Sequence, residues 1–278
     1  MLRYEFLMQW RRPALVAVVG GLVCTPLFGW LISGEQFAGQ SAAVAAGTLS
    51  AEAARAAITA EVIPFVWLGA WMVLMLLVPI VVADTVPKDR QFGVRELLDS
   101  LPLATGTYLG GKLLSLWASL LAGIVLAMLI AGGAWQFGVG AFNWDIFIEL
   151  WLIGAAGLAL VNSGLSMLLA VGQPSNRRAV LVGVGFTAAS LAMIGLAFIL
   201  PGTFWRVMNL SRPALSLYYF LGWPGADFWI DPTEGVVKWI ATYASREEAW
   251  LSIGVGLLQV AVVYALAWWW MRRRADKV

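Results

Sequence analysis

The sequence contains no histidine and a single cysteine, Cys24. The absence of histidine excludes metalloproteases of the HExxH type, histidine-dependent intramembrane hydrolases and haem held by an axial histidine. A lone cysteine excludes an intramolecular disulfide. The chemistry left to this chain therefore depends on carboxylates, basic side chains and neutral polar groups.

Charged residues are also scarce. They make up 12% of the 278 residues, whereas a soluble domain carries about 25%, and hydrophobic residues make up 61%. The mean hydropathy of +0.81 agrees with this composition. Only helices and closed barrels satisfy their backbone in lipid, and the short alternating segments typical of a barrel are not seen. We therefore predict an all-α integral membrane protein with a single domain over residues 1–278.

Six apolar runs are long enough to cross a bilayer, which takes about 20 residues in a helix. They predict six transmembrane spans, at residues 13–33, 62–83, 113–134, 150–172, 179–200 and 249–271. Pro64 and Pro79 fall near the two ends of the second span, where we expect kinks.

Lysine and arginine are distributed unequally between the two sides of these spans. Segments on the side of residues 1–12 carry 13 of the 18 basic residues, and the opposite segments carry five. The positive-inside rule predicts an inner (plasma) membrane protein with both termini in the cytoplasm. Arg272, Arg273 and Arg274 follow a tryptophan-rich stretch, so we interpret them as an anchor at the lipid headgroups and not as a nucleic-acid site.

Two segments outside the spans are patterned. Residues 1–12 predict an interfacial elbow helix, with its apolar residues on one face: Leu2, Phe6, Leu7 and Trp10. Residues 201–248, between spans five and six, are rich in aromatic residues on the predicted outer side. Within them, the apolar run 213–226 is too short to span and is typical of an interfacial or re-entrant segment.

Motifs for energy coupling are missing from the sequence. There is no GxxxxGK[ST] phosphate loop, and no acidic or basic residue falls in the middle of a predicted span. Buried ionisable residues usually mark proton-coupled transport, so that class is disfavoured. We expect the polar residues within the spans to form hydrogen bonds between helices: Asn162, Ser163, Ser166, Thr187, Ser190 and Gln259.

A charged island, Asp84–Lys112, separates the second and third spans on the cytoplasmic side. Its apolar residues follow i, i+3, i+4, i+7 spacing and predict a helix over Asp89–Leu101 with one apolar face: Val94, Leu97, Leu98 and Leu101. Pro102 ends that helix. Periodicity alone leaves two readings open: a helix lying in the headgroups, or one that docks on a protein.

The island also carries a pattern of charged, glycine, leucine and proline positions: Asp89, Arg90, Gly93, Glu96, Leu97, Leu98, Ser100, Pro102 and Leu103, followed by Tyr108, Gly111 and Lys112. Together with six spans and cytoplasmic termini, this pattern resembles the membrane subunits of type-2 ABC exporters. Tyr4-Glu5 with Arg11-Arg12-Pro13 is similar to the elbow helix of that family. Val94 and Arg95 depart from the family, which commonly has a threonine and an apolar residue there.

The resemblance implies a permease subunit that is not itself an enzyme and holds no cofactor. Two separate ATPase subunits would bind ATP and Mg²⁺, and the chain would pair with a second copy or a homologous permease to export an amphipathic lipid, peptide or drug. The coupling segment would be residues 84–107, with docking residues Asp89, Arg90, Gly93, Arg95, Glu96, Leu97, Leu98, Asp99 and Leu101. The elbow helix would contribute Glu5, Phe6 and Trp10.

Two other classes remain open. An intramembrane lipid-modifying enzyme would need convergent acidic groups or a metal site. Four carboxylates at the inner surface could form such a metal cluster: Asp84, Asp89, Glu96 and Asp99. The sequence also fits a membrane scaffold subunit without transport activity.

Overall fold

The computed structural model describes residues 2–93, 104–138, 140–199 and 246–275, and these residues form helices and connections without a β-strand. One π-helical turn occupies Val73–Leu77, and a second occupies Leu150–Ala155. In chain order the helices are α1 (Leu2–Trp10), α2 (Pro13–Ala45), α3 (Ala51–Met72), α4 (Val78–Ala83), α5 (Pro87–Gln91), α6 (Thr105–Gly138), α7 (Trp144–Glu149), α8 (Ala156–Ala170), α9 (Asn176–Ile199) and α10 (Arg246–Ala275).

Three stretches of the described residues are long and apolar enough to cross a membrane: Ala70–Asp89, Thr105–Gly138 and Ile253–Arg273. Two shorter apolar helices cover Pro13–Phe28 and Ala156–Ala170. The all-helical, membrane-spanning character that the composition predicts is therefore confirmed. The count of six spans and the orientation stay predictions, and the aromatic segment 201–245 lies outside the described residues.

Helix α6 buries one continuous face against α1, α2 and α8. Its apolar core residues recur at every third or fourth position, as the helical period requires: Leu109, Leu113, Leu116, Leu120, Ile124, Ala127, Ala131 and Trp135. Two indole N–H groups on this helix reach neighbouring backbones. Trp117 Nε1 donates to the Leu160 carbonyl at 3.1 Å, and Trp135 Nε1 donates to the Pro26 carbonyl at 3.1 Å. Because lipid gives no hydrophobic drive for helix association, such bonds and close packing fix the neighbours of α6.

Helix α8 is enclosed by protein. From Ala156 to Leu168 every residue except Leu160 is buried, and the helix contacts α4, α6, α9 and α10. Glycines set its spacing from α10, since a Cβ on Gly164 would lie 2.9 Å from Val260 Cγ1. This is the close approach that small residues permit between membrane helices.

Helices α4, α8 and α9 meet in stacked layers. The alanine layer is a small buried cluster: Ala83, Ala170 and Ala179. In the next layer, the proline layer, the Ser166 hydroxyl donates to the Pro79 carbonyl at 2.5 Å. The same carbonyl lies 2.6 Å from the position that a Cβ on Gly183 would take. Each helix advances by four residues between the layers, so α4 and α8 run parallel here and α9 runs antiparallel to both.

The π-helical turn Val73–Leu77 stands directly before α4 and Pro79. The Val78 N–H bonds to the carbonyl five residues back, as in a π-helix. Pro79 has no N–H to donate. Within this described stretch, the Leu74 carbonyl is therefore left without a helical donor at i+4 or i+5, and the Met75 carbonyl without one at i+4. The irregularity expected at Pro79 takes the form of a widened turn.

The contact between α4 and α9 can be tested by adding one methyl group to Gly183. We expect Gly183→Ala to lower the free energy of unfolding by about 1–3 kcal/mol, the usual cost of overpacking. The new Cβ would meet the Pro79 carbonyl and Ile80 Cα, which are backbone atoms that cannot turn aside. Gly185→Ala is the matched control, because nothing lies within 4 Å of its Cβ position. Thermal unfolding in detergent should separate the two variants, and equal melting temperatures would contradict this packing.

The predicted orientation can be tested by labelling single cysteines, since Cys24→Ser gives a background without thiols. Gln91 and Ala141 are both exposed and fall on opposite sides of the predicted topology. The positive-inside rule places Gln91 in the cytoplasm. We therefore expect a membrane-impermeant maleimide to label Ala141→Cys in intact cells, and Gln91→Cys only after the membrane is permeabilised. The reverse pattern would show that the orientation is wrong.

Candidate functional site

Asp89, in α5, accepts two hydrogen bonds at one carboxylate oxygen. The Tyr108 hydroxyl donates to Oδ2 at 2.7 Å, and the Lys112 ammonium donates to the same atom at 2.8 Å. The side chains of Lys112 and Asp89 are only 5% and 11% exposed. Tyr108 and Lys112 are four residues apart on α6, so both side chains reach the same face. The start of α6 is thereby fastened to α5.

A second, more exposed group of charges lies at the end of α4. Asp84 caps the C-terminus of α4, and its carboxylate is 3.8 Å from Arg12 Nη1 and 3.4 Å from Lys88 Nζ. Arg12 Nη1 also donates to the hydroxyl of buried Thr85 at 3.1 Å. Arg12 is the residue before α2, so this group ties the start of α2 to the end of α4.

The two groups differ in what their loss would cost. Exposed pairs such as Lys88 with Asp84 contribute about 0–1 kcal/mol. A buried pair adds little net stability, but removing one partner leaves an uncompensated charge and costs about 3–5 kcal/mol. We call the Asp89–Lys112 pair the buried fastener of α5 and α6, and its loss should cost more than the loss of the exposed pair.

The contacts of Asp89 with Tyr108 and Lys112 join the two described parts of the charged island. Residues 84–93 and 104–112 enclose residues 94–103, which lie outside the described part of the chain. Asp89 and Tyr108 stand on either side of that gap and are joined directly. The two helices that flank the intervening segment, α5 and α6, are thus joined by a buried contact.

The predicted docking residues are only partly covered by the described structure. Asp89 belongs to the buried cluster, and Arg90 follows it in α5. Most of the others lie outside the described residues: Arg95, Glu96, Leu97, Leu98, Asp99 and Leu101. The expected unbroken helix over Asp89–Leu101 is wrong in its first part. Helix α5 ends at Gln91, and Gly93 has a φ of 67°, a left-handed conformation that glycine adopts without strain and an α-helix does not contain.

The elbow helix also differs from its prediction in one respect. Helix α1 covers Glu5, Phe6 and Trp10 and packs against α6, and the Phe6 and Trp10 rings lie 6.2 Å apart. Leu7, expected on the apolar face, is 50% exposed, whereas Gln9 is buried. The buried face is set by contact with α6, where a polar residue is covered because of its position on the helix.

Sequence reasoning missed the pairing of Asp89 with Lys112 and Tyr108. All three residues belong to the pattern that resembles type-2 ABC exporters, but none of the predictions joins them. The available signal was a carboxylate a few residues after one apolar run and a lysine directly before the next. A lysine at the start of a long apolar helix needs a counter-charge or contact with the interface.

The proposed carboxylate cluster for a metal is not supported by the described half of its members. Asp84 and Asp89 are paired separately, with Arg12 and Lys88 in one case and Lys112 in the other. Glu96 and Asp99 lie outside the described residues. Among the residues that the structure describes, no three histidine, cysteine or carboxylate side chains gather as metal ligands.

The sequence matches no protein-family model and no curated protein.

A double-mutant cycle tests the buried fastener. Asp89→Asn leaves the Lys112 charge buried, and Lys112→Met leaves the Asp89 charge buried, so each should cost about 3–5 kcal/mol of unfolding free energy. The double variant Asp89→Asn/Lys112→Met should recover most of that loss, because no charge remains unpaired between them.

Thermal unfolding of the purified protein in detergent measures each corner of this cycle. Lys88→Met serves as the control, since that lysine side chain is 38% exposed and its ion pair should contribute about 0–1 kcal/mol. Additive losses in the double variant would mean that Asp89 and Lys112 do not interact as described.

Proposed function

We propose that this chain is the transmembrane permease subunit of an ATP-driven exporter of the ABC-2 type. The observation that carries the proposal is the buried contact of Asp89 with Tyr108 and Lys112. It joins α5 and α6, the helices on either side of the segment 94–103, where the resemblance puts the surface that docks on an ATPase. A rigid base is what such a docking segment needs to transmit force.

The contacts around that base suggest how force would spread. A push on residues 94–103 reaches α5 and α6 together, because Asp89 joins them. Arg12 links α2 to the end of α4 at the same side of the bundle, and α1 packs on α6. Coupling between distant sites requires a contiguous element with two arrangements. In this proposal, closure of two ATPase subunits moves these helices as a group between inward-open and outward-open states.

The apolar composition of the spans favours an amphipathic cargo. No acidic or basic residue falls in the middle of a predicted span, so a hydrophilic ion would find no compensating charge along the path. A lipid, a peptide or an apolar drug would not require one. The proposed complex lies in the plasma membrane and contains two ATPase subunits and a second permease, which is another copy of this chain or a homologue.

Replacing Leu98 tests docking on an ATPase. In the proposal Leu98 lies on the apolar docking face, and an aspartate there would place a charge in the interface core. Such a change should cost about 2 kcal/mol or more of binding free energy, as central interface residues do. We expect a tagged Leu98→Asp variant, purified from its native host in mild detergent, to lose most of the ATP hydrolysis that co-purifies with the wild-type chain.

Ala141→Asp provides the matched control, because Ala141 is exposed and lies on the opposite side in the predicted topology. It should retain wild-type ATP hydrolysis and wild-type yield. If Leu98→Asp and Ala141→Asp co-purify with equal ATPase activity, or if the wild-type chain carries none, the proposed function is wrong.

A further inference from the structure

The stacking of α4, α8 and α9 continues for one more layer beyond the proline layer. Steps of four residues along α4 lead from Ala83 to Pro79 and then to Met75. The same steps run from Ala170 to Ser166 and on to Asn162 in α8, and from Ala179 to Gly183 and on to Thr187 in α9. Each step is about 6 Å along a helix, so the three positions fall at one level. We call Met75, Asn162 and Thr187 the π layer.

Two polar side chains of the π layer are buried without a partner. Asn162 is 1% exposed and Thr187 is 7% exposed. Among the residues that the structure describes, neither Asn162 Oδ1 nor Thr187 Oγ1 has a hydrogen-bond partner. Both residues were expected to bond between helices, as Ser166 does in the layer below. An unpaired polar group in a protein interior lowers the folding stability by about 1–3 kcal/mol. A ligand that binds both groups would remove this cost.

The backbone adds further oxygen atoms at the same level. The π-helical turn withholds the usual i+4 donors from the carbonyls of Leu74 and Met75, because Val78 bonds five residues back and Pro79 has no N–H. The side chains of both Leu74 and Met75 are fully buried, and α8 contacts this turn directly. The freed carbonyls stand one widened turn before Pro79, whose own carbonyl accepts the bond from Ser166 of α8.

The chemistry of these groups selects the ligand. They are two backbone carbonyls, a carboxamide oxygen and a hydroxyl, all neutral and able to offer lone pairs. Divalent Ca²⁺ and Mg²⁺ sites are built with carboxylates, and no acidic residue belongs to this layer. Monovalent cations are coordinated in membrane proteins by backbone carbonyls of filters and of interrupted helices. A water molecule could also serve these groups, since the Thr187 hydroxyl donates one proton of its own, but only a bound cation would make the stability depend on which salt is present.

We propose that the π layer binds one dehydrated monovalent cation, Na⁺ or K⁺. The carbonyls of Leu74 and Met75, Asn162 Oδ1 and Thr187 Oγ1 supply its oxygen ligands. The ion is a resident part of the bundle and bridges α8 and α9 to the irregular turn between α3 and α4. This inference rests on the three-helix register, the two unpaired side chains and the π-helical turn, and it holds whether or not the chain exports a cargo.

Ligand linkage gives the test, because an ion that binds only the folded state raises the melting temperature as its concentration rises. The purified wild-type protein is unfolded thermally in detergent with NaCl, KCl or choline chloride, at constant ionic strength. We expect the melting temperature to increase with the concentration of Na⁺ or of K⁺ in exchange for choline, and the effective salt identifies the ion. Equal melting temperatures in all three salts would overturn the proposal.

Two variants locate the effect. Thr187→Val removes one hydroxyl at nearly constant shape, and Asn162→Leu removes the carboxamide. Each should lose most of the cation-dependent shift, whatever its own stability in choline. Ser119→Ala is the control, since Ser119 is buried in α6 and bonds the Ser115 carbonyl, away from the π layer. If Thr187→Val and Asn162→Leu keep the full wild-type shift, the ion binds elsewhere and the proposed site is wrong.

Discussion

The contact between α5 and α6 depends on one carboxylate. Asp89 receives the Tyr108 hydroxyl and the Lys112 ammonium at a single oxygen, almost out of reach of solvent. Without that carboxylate, the buried Lys112 ammonium would lose the opposite charge that lies 2.8 Å away. Because both donors are on α6 and the acceptor is on α5, the contact determines where the long central helix begins relative to the end of the preceding apolar stretch.

The remaining packing follows a different rule. In lipid, apolar side chains gain little by leaving the bilayer for the protein interior, so directional bonds and close backbone approach must select neighbours. The structure uses both, since Trp117 and Trp135 bond to carbonyls of other helices, and Gly164 and Gly183 let helices approach closely. Helix α8, enclosed on nearly every side, shows how far this selection extends.

Periodicity and composition predict the helical class and the positions of the apolar stretches because both depend on local residue patterns. They do not predict the Asp89–Lys112 pair, whose members are far apart in sequence and meet only after a turn is made. They also predict a helix that continues through Gly93, which instead adopts a left-handed conformation. The prediction for α1 fails for a related reason, since Leu7 is exposed and Gln9 is buried. Which face of α1 is covered depends on α6, not on α1 alone.

The π-helical turn Val73–Leu77 sets the rotation of α4 about its axis relative to α3. A π turn accommodates one residue more than an α turn, and each residue of an α-helix rotates the chain by about 100°. Deleting one residue from this turn would leave α3 in place but rotate everything from α4 to α5 relative to it. Asp89 would then point away from Lys112, although both residues were unchanged. The widened turn thus sets the rotation of the helix that follows it, so that the Asp89 carboxylate points toward Tyr108 and Lys112.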